Sequence, residues 1–196
     1  MPRVLLTAFG PYQSWTENAS WLTLIEMTKN LPDIPDITTR LYPVNLNECR
    51  DKLTADLDLG FDYAIHLGQA PGATTLQFEN IGLNIFDDGS QRFKIDANGP
   101  LAYETSLPVE SWTSRLRDGG TPATHSYHAG TYLCNALYYL SQHLAQTKGL
   151  ATQSLFVHLP ITYSQAVRHP DLASMMPQTG AAALLRVLGW LVEEES

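Results

Sequence analysis

Short apolar runs that stop at glycine or proline recur along the chain and predict buried strands. The first is Arg3–Phe9 (RVLLTAF), and similar runs follow at residues 62–68 (DYAIHLG) and 154–160 (SLFVHLP). Runs that are apolar almost throughout are typical of strands covered on both faces of a sheet. A weaker run at residues 38–44 predicts one further strand, and residues 69–86 predict strand segments interrupted by turns.

Segments with apolar residues at helical spacing lie between these strands. The first, residues 21–31, has Asn18 or Ser20 as its predicted N-terminal cap. Further helices are predicted at residues 47–57, 108–117 and 179–195. Strands that alternate with helices favour an α/β fold, with a mostly parallel sheet covered by helices on both faces. In such sheets, functional residues collect at the carboxyl ends of the strands.

Composition narrows the class of protein. The chain has 196 residues, 44% of them hydrophobic, so one compact domain over residues 1–196 is expected. Twenty acidic against 12 basic residues give a net charge of -8, which argues against nucleic acid or an anionic membrane as a partner. The first residues lack the charged n-region, the long h-region and the cleavage site of a signal peptide, so none is expected, and no apolar run is long enough to predict a bilayer crossing. With only two cysteines, a reducing cytoplasm is the expected location.

One of those cysteines, Cys134, stands where a helix is predicted to begin. Gly130 permits a tight turn, Thr131 is a predicted cap, and leucines recur at helical spacing from Leu133 onward. Unpaired backbone N–H groups at a helix start favour a thiolate and can bind an oxyanion. Cysteine is also among the residue types most often buried in cores. This local pattern therefore leaves two interpretations open, a nucleophile and an inert core thiol.

Two further polar residues stand in apolar settings. His158 lies near the carboxyl end of the run SLFVHLP, and Glu79 lies within LQFENIGLNIF. Burying either of them without a partner would be costly, so each needs a hydrogen-bonding or charged neighbour. With Cys134 they supply the nucleophile, the base and the orienting acid of a Cys-His-acid triad. Each one taken alone is more often a satisfied structural residue.

Other candidate chemistry is weaker. His125 and His128 in HSYH could chelate a metal, but no further cysteine or acid stands at ligand spacing, so a surface turn is favoured. His66 in AIHLG is typical of a hydrogen-bonded core histidine. Cys49 has no glycine turn before it and is interpreted as packing.

Five blocks of the sequence resemble one family, the pyroglutamyl peptidases, which are cysteine peptidases that remove an N-terminal pyroglutamate. The blocks are VLLTAFGPY, HLGQAPG, GPLAYETSLP, SYHAGTYLCN and LFVHLP, and they occur in the family's order over almost the whole chain. The fourth block resembles the nucleophile motif and the fifth resembles the histidine motif.

The resemblance implies a role for several residues. Cys134 would be the nucleophile, His158 the general base and then acid, and Glu79 the group that orients His158. A second group would bind substrate: Phe9 and Tyr12 would sandwich the lactam ring, and the backbone around Gln69 would hydrogen-bond its amide. The implied fold is a three-layer α/β/α sandwich of the phosphorylase/hydrolase-like type. The implied partner is a small peptide with an N-terminal pyroglutamate, no cofactor or metal is needed, and a homo-oligomer is expected.

The chain also departs from the family pattern. Asn80 stands where an arginine usually follows the glutamate, and Gly89 stands where a second arginine is usual, with Arg92 nearby. Gln13-Ser14 replaces a Gly-Gly pair, and Tyr12 replaces a phenylalanine. Three alternatives remain beside the family activity: a diverged member that binds or hydrolyses another small amide, an unrelated cysteine amidase and, weakest of the three, a metal-dependent hydrolase centred on His125 and His128.

Overall fold

The computed structural model describes residues 1–193, so Glu194 and Glu195, which the predicted C-terminal helix includes, lie outside the described residues. The strands of the described part are β1 Arg3–Phe9, β2 Asp36–Tyr42, β3 Tyr63–Gln69, β4 Leu76–Glu79, β5 Ile81–Leu83, β6 Phe86–Asp87, β7 Arg92–Phe93, β8 Ala102–Glu104, β9 Ala123–Ser126 and β10 Gln153–Leu159. The helices are α1 Ala19–Thr28, α2 Leu46–Leu57, α3 Val109–Asp118, α4 Leu133–Lys148, α5 Tyr163–Ala166 and α6 Pro177–Glu193.

The main sheet of residues 1–193 has six strands in the order β2-β1-β3-β10-β4-β9. All neighbours run parallel except β4 and β10, which are antiparallel. The register places His158 of β10 beside Gly68 of β3, one residue before the ends of both strands. The carboxyl ends of β1, β3 and β10 therefore open at one edge of the sheet.

Two apolar cores lie on opposite faces of this sheet. One face packs against α1, α3 and α6, with side chains such as Leu6, Trp112 and Leu184. The other face packs against α2 and α4, with side chains such as Leu53 and Phe156. Helices on both faces of a mostly parallel sheet make the three-layer α/β/α sandwich that was predicted.

The central strands agree with the apolar runs, and β1 has the predicted bounds. Helix α1 begins after Asn18, whose side chain accepts a hydrogen bond from the Ser20 N–H, so the first of the two predicted caps is the one used. The short strand β9, by contrast, was not predicted. Its four residues, ATHS, lack an apolar alternation, and the strand exists because β4 pairs with it.

None of the helices within residues 1–193 combines the length and apolar character that a bilayer crossing requires.

Candidate active site

A pocket opens where the strand ends meet the start of α4. Its cavity of about 190 Å³ is smaller than the roughly 300–1,000 Å³ of pockets for drug-sized ligands, so it suits one small residue. Five of the six residues assigned to the site from sequence line it, and the sixth, Glu79, lies behind His158. The lining residues are Phe9, Tyr12, Asn18, Val44, Gln69, Ala129, Gly130, Thr131, Tyr132, Leu133, Cys134 and His158.

Cys134 is the second residue of α4 and is partly buried. The predicted cap Thr131 is wrong: the helix is capped at Tyr132, with no side-chain hydrogen bond. The carbonyl of Thr131 instead accepts a hydrogen bond of 2.7 Å from the Asp87 N–H, which holds that residue outside the helix. The first amide groups of α4 are therefore free of a side-chain cap and lie beside the sulfur, where they favour negative charge.

Asn135 fixes the start of α4 against the chain that joins β5 to β6. Its side chain accepts a hydrogen bond from the Leu83 N–H at 2.8 Å and donates to the carbonyls of Leu83 and Ile85. The residue is fully buried, and sequence reasoning did not single it out. An asparagine directly after the candidate nucleophile, in an otherwise apolar run, was the available signal, since an amide in such a setting needs several partners.

His158 and Glu79 form a hydrogen-bonded pair. The distance from His158 Nδ1 to Glu79 Oε1 is 2.7 Å, and both side chains are buried. Because Nδ1 is engaged by Glu79, the other ring nitrogen, Nε2, is left for the Cys134 side of the pocket. The structure thus brings together all three residues of the triad predicted from sequence.

The charge state of His158 follows from these neighbours. Burial lowers the pKa of His158, but the charge of Cys134, a hydrogen bond with it and the contact with Glu79 together raise that pKa to about 10. The imidazole is therefore protonated near neutral pH, next to a thiol that lies at uncapped helix amides. This is the kind of arrangement, a cysteine beside a histidine that an acid orients, on which cysteine nucleophiles rely.

Gly68 leaves the space that the sulfur occupies. A Cβ at this position would lie 3.0 Å from Cys134 Sγ and 2.7 Å from the ring of Phe156. Real Cβ atoms essentially never approach another heavy atom as closely as the second distance. Because Gly68 has no side chain, α4 can pack with the Cys134 sulfur against β3.

The two aromatic side chains predicted to hold the substrate ring both lie in the pocket wall. Phe9 ends β1 and is 4% exposed, whereas Tyr12 belongs to the loop that follows. Burial and the nearby Cys134 raise the pKa of Tyr12 to about 12, and the Gln69 side chain opposes that rise. The Tyr12 hydroxyl is therefore neutral at physiological pH and lies on the side of the pocket where Gln69 is found.

The loop that carries Tyr12 turns tightly at the Gln13-Ser14 pair. The Trp15 N–H donates a hydrogen bond of 2.9 Å to the Tyr12 carbonyl, and Gln13 has a φ of 50°. This is a β-turn whose second residue lies in the left-handed region, where glycine is most readily accepted. Gln13 thus takes the kind of backbone conformation that the usual Gly-Gly pair would favour.

The side chain of Gln69 is buried at the end of β3 and is held by hydrogen bonds. Its Oε1 accepts from the Ala19 N–H at 2.7 Å and from Gln165 Nε2 at 2.8 Å. Its own Nε2 is buried and makes no hydrogen bond of normal geometry within the described residues, although the Gln69 side chain is near enough to the Tyr12 hydroxyl to lower its pKa. An unpaired buried donor costs about 1–3 kcal/mol, so a ligand that accepts from it would recover part of that cost.

The other candidates fall outside this pocket. His66 is fully buried between Thr7 and Ser141, which confirms it as a hydrogen-bonded core histidine. Cys49 is fully buried, and its thiol donates to the Pro43 carbonyl, which confirms packing.

The remaining polar candidates do not line the pocket either. His125 and His128 belong to no group of three or more potential metal ligands among residues 1–193. Asn80 donates to Glu104 at 2.8 Å, and Arg92 pairs with Asp87 at the surface. Both residues that stand near the family's arginine positions are therefore engaged elsewhere.

The chain is similar to known proteins over most of its length. The family model described as pyroglutamyl peptidase matches residues 2–189. The pyrrolidone-carboxylate peptidase of Chromobacterium violaceum is 35% identical over 193 residues, which cover 94% of this chain and 90% of that protein. The enzyme of the same name from Thermococcus litoralis is 34% identical over 176 residues, which cover 85% of this chain and 80% of that protein.

Solved structures resemble the fold over nearly its whole length. The crystal structure of the pyrrolidone carboxyl peptidase from Fervidobacterium islandicum superposes with a TM-score of 0.93 at 29% identity, covering 98% of this chain and 99% of that one. That from Thermococcus litoralis gives a TM-score of 0.87 at 29% identity, covering 100% and 97%. With a family model that spans nearly all of its length and relatives of more than 30% identity, the chain belongs to the pyroglutamyl peptidase family.

Proposed function

We propose that this protein removes an N-terminal pyroglutamyl residue from peptides, with Cys134, His158 and Glu79 as a catalytic triad. The observation that carries the proposal is the His158–Glu79 pair: His158 lines the pocket together with Cys134 at the uncapped start of α4, and Glu79 holds His158 from behind. The names of the relatives support the substrate class. The family's usual arginines are absent from this pocket, so catalysis by this chain relies on the triad and the helix amides.

In the first half of the reaction, the Cys134 thiolate attacks the carbonyl carbon of the pyroglutamyl residue, and a C–S bond forms. The carbonyl electron pair moves to oxygen, where the uncapped amides of α4 stabilise the negative charge. His158 then donates the proton on Nε2 to the amide nitrogen as the C–N bond breaks. The peptide leaves with a free amine, and a thioester remains on Cys134.

In the second half, His158 changes from acid to base. Its raised pKa depends largely on the Cys134 sulfur, whose negative charge is lost once the thioester has formed. The pKa of His158 therefore falls in the acyl-enzyme, and the neutral ring can take a proton from water. The resulting hydroxide attacks the thioester carbon, the C–S bond breaks, and pyroglutamate is released with the thiolate–imidazolium pair restored.

The pocket also supports selection of a neutral ring. Its walls include Phe9, Val44 and Leu133, and the one unpartnered buried donor among its described lining residues is Gln69 Nε2. A pyroglutamyl ring has no charged amine, and it carries a carbonyl that accepts hydrogen bonds. An ordinary N-terminal ammonium would lose its water here without gaining a charged partner, which disfavours normal peptides.

The test is release of aminomethylcoumarin from pyroglutamyl-aminomethylcoumarin by the wild type, by Cys134→Ala and by Cys49→Ala. We expect turnover by the wild type, none above background by Cys134→Ala, and retained turnover by the Cys49→Ala control, because Cys49 lies outside the pocket. Absence of turnover by the wild type on this substrate, with turnover on another small amide, would replace the proposal by a different amidase activity. Equal turnover by the two alanine variants would reject Cys134 as the nucleophile.

We also propose a cytoplasmic location, action as one catalytic domain, and assembly into a homo-oligomer. Two free cysteines, one of them in the pocket, support a reducing compartment. Cores on both faces of a single sheet support one domain. Light scattering at several protein concentrations measures the assembly, and a constant monomer mass would contradict the oligomer.

A further inference from the structure

Gln165 lies outside the pocket, and its buried side chain is fully hydrogen-bonded. It belongs to α5, is 7% exposed, and uses all four hydrogen-bonding positions of its carboxamide. Its Oε1 accepts from the Thr162 N–H at 2.8 Å and from the Thr162 hydroxyl at 3.1 Å. Its Nε2 donates to the Glu17 carbonyl at 2.9 Å and to Gln69 Oε1 at 2.8 Å.

These bonds join three segments that approach the pocket from different strands. Thr162 follows β10, which carries His158, and Glu17 lies in the loop that follows β1. Gln69 ends β3. One buried carboxamide therefore fixes the spacing of three strand ends. A side chain needed only to cap α5 would use its Oε1 alone, as in the capping box with Thr162, and would leave its Nε2 free.

The bond to Gln69 also decides which way the Gln69 amide points. Gln69 Oε1 faces two donors, the Ala19 N–H and Gln165 Nε2. A flipped amide would place Nε2 against both donors, so the observed orientation is locked. The Nε2 end is therefore held toward the pocket, where it is buried and without a partner among residues 1–193.

The bond to the Glu17 carbonyl acts on the loop that carries Tyr12. The next residue, Asn18, lines the pocket, caps α1 and donates from Nδ2 to the Gly10 carbonyl at 2.9 Å. Asn18 thereby closes the loop from residue 10 to residue 18, and Gln165 anchors the closed end of that loop to α5. Moving Gln165 would move the Tyr12 side of the pocket without touching the triad.

We propose that Gln165 is a positioning residue for substrate binding, which holds the Gln69 amide and the Tyr12 loop in the arrangement that receives the substrate ring. The inference rests on the proposed function, because the ring is the pyroglutamyl group. Gln165 has no hydrogen bond with Cys134, His158 or Glu79 in the described structure, so its influence falls on binding and leaves the chemical step largely intact.

The experiment compares wild type, Gln165→Glu, Gln165→Met and Gln153→Glu. Gln165→Glu keeps the shape of the side chain but replaces the Nε2 donor by an oxygen, which faces the Gln69 Oε1 and Glu17 carbonyl acceptors. Gln165→Met removes the polar atoms of the side chain without adding charge. Gln153→Glu is the matched control: Gln153 lies at the amino end of β10 and accepts a bond from the Ser106 hydroxyl, which a carboxylate also accepts. Steady-state kinetics on pyroglutamyl-aminomethylcoumarin give kcat and KM, and iodoacetamide alkylation reports on Cys134.

We expect Gln165→Glu to raise KM by about tenfold or more, because a small misplacement of binding groups has effects of that order. Its kcat and its alkylation rate should stay within about threefold of wild type, since no group of the triad is altered. Gln165→Met should act in the same direction, and Gln153→Glu should change neither constant. A purely structural role for Gln165 would instead lower the melting temperature and leave KM unchanged.

Several outcomes would overturn the inference while leaving the proposed function intact. The first is an unchanged KM in a folded variant at Gln165. The second is a parallel fall of kcat and of the alkylation rate, which would place the effect on the chemical step. The third is failure of both Gln165 variants to fold, which would make Gln165 a core residue. An inactive wild type is a different result, because it rejects the proposed function itself and this inference with it.

Discussion

His158 lies against Glu79, with 2.7 Å between Nδ1 of the imidazole and Oε1 of the carboxylate. The two side chains are diagonal neighbours on one face of the sheet, because Glu79 pairs with Phe156, two residues before His158, across the antiparallel strands β4 and β10. Glu79 is 1% exposed, so water screens its charge only weakly. The strand register therefore determines which ring nitrogen is left for Cys134.

Replacing Glu79 by glutamine should slow the chemical step. The Glu79→Gln variant keeps the shape of the side chain but loses the charge that stabilises the protonated ring of His158, so that ring binds its proton less tightly and is less firmly oriented. We expect kcat on pyroglutamyl-aminomethylcoumarin to fall by about 10²–10⁴-fold, the usual range for loss of acid–base function, with a smaller change in KM.

The matched control is Glu104→Gln. Glu104 is an exposed acid that accepts a hydrogen bond from Asn80, outside the pocket. Its replacement should leave kcat unchanged. A Glu79→Gln variant with wild-type kcat would show that His158 needs no acidic partner, and the triad would reduce to a Cys-His pair.

The pH profile of kcat/KM should fall on its alkaline side because His158 loses its proton there. Its pKa is raised from 6.5 to about 10, so the ring keeps its proton well above pH 6.5 and loses it as the pH passes through about 10. The protonated ring is the proposed acid for the leaving amine, so kcat/KM should fall across that range. In Glu79→Gln one cause of the raised pKa is removed, and the limb should move to lower pH. A limb that stays in place in the variant would contradict this assignment.

Pocket residues could be predicted from sequence where a polar or reactive side chain stands in a segment that is otherwise apolar. His158 and Glu79 stand out as polar residues in apolar strands, and Cys134 follows a glycine turn. Gln69 was named from sequence only through the family resemblance, for its backbone. The roles of its side chain and of Gln165 give no local signal, because they come from a contact across 96 positions of sequence. The cap of α4 was mispredicted for a similar reason: a long-range bond from Asp87 holds Thr131, and local propensity does not record it.

Adding a methyl group at Gly68 should displace the sulfur. The new Cβ would lie 2.7 Å from the Phe156 ring and 3.0 Å from Cys134 Sγ, so one of them must move. We expect Gly68→Ala to lower the free energy of unfolding by about 1–3 kcal/mol, as overpacking does. It should also reduce kcat by about tenfold or more, because the thiolate shifts relative to His158. Chemical denaturation and steady-state kinetics measure the two effects.

The control for this change is Gly189→Ala. Gly189 lies on the exposed side of α6, and a Cβ there would meet nothing within 4 Å. Alanine should raise the free energy of unfolding by about 0.5–1 kcal/mol through its higher helix propensity and leave kcat unchanged. If Gly68→Ala retained wild-type kcat, close contact between β3 and Cys134 would have no part in placing the nucleophile.

Glycine at position 13 should leave the turn, the stability and the activity nearly unchanged, whereas valine at this position should impair them. Gln13 has a φ of 50° in the turn closed by Tyr12 and Trp15, and a non-glycine residue there carries strain of about 1–3 kcal/mol. Gln13→Gly relieves the strain but makes the unfolded chain more flexible, so the free energy of unfolding should change by less than about 1 kcal/mol. Because the turn keeps its shape, kcat/KM should stay within about threefold of wild type.

Gln13→Val tests whether the backbone conformation at residue 13 is needed for the position of Tyr12. A β-branched residue is a genuine outlier at positive φ, so the turn must open and move Tyr12 away from the pocket. We expect a higher KM and a free energy of unfolding about 1–3 kcal/mol lower than that of wild type. Equal kinetics for the valine variant and wild type would mean that the Tyr12 loop does not shape the binding site. A large loss with glycine would mean that the Gln13 side chain itself contributes, beyond the backbone it adopts.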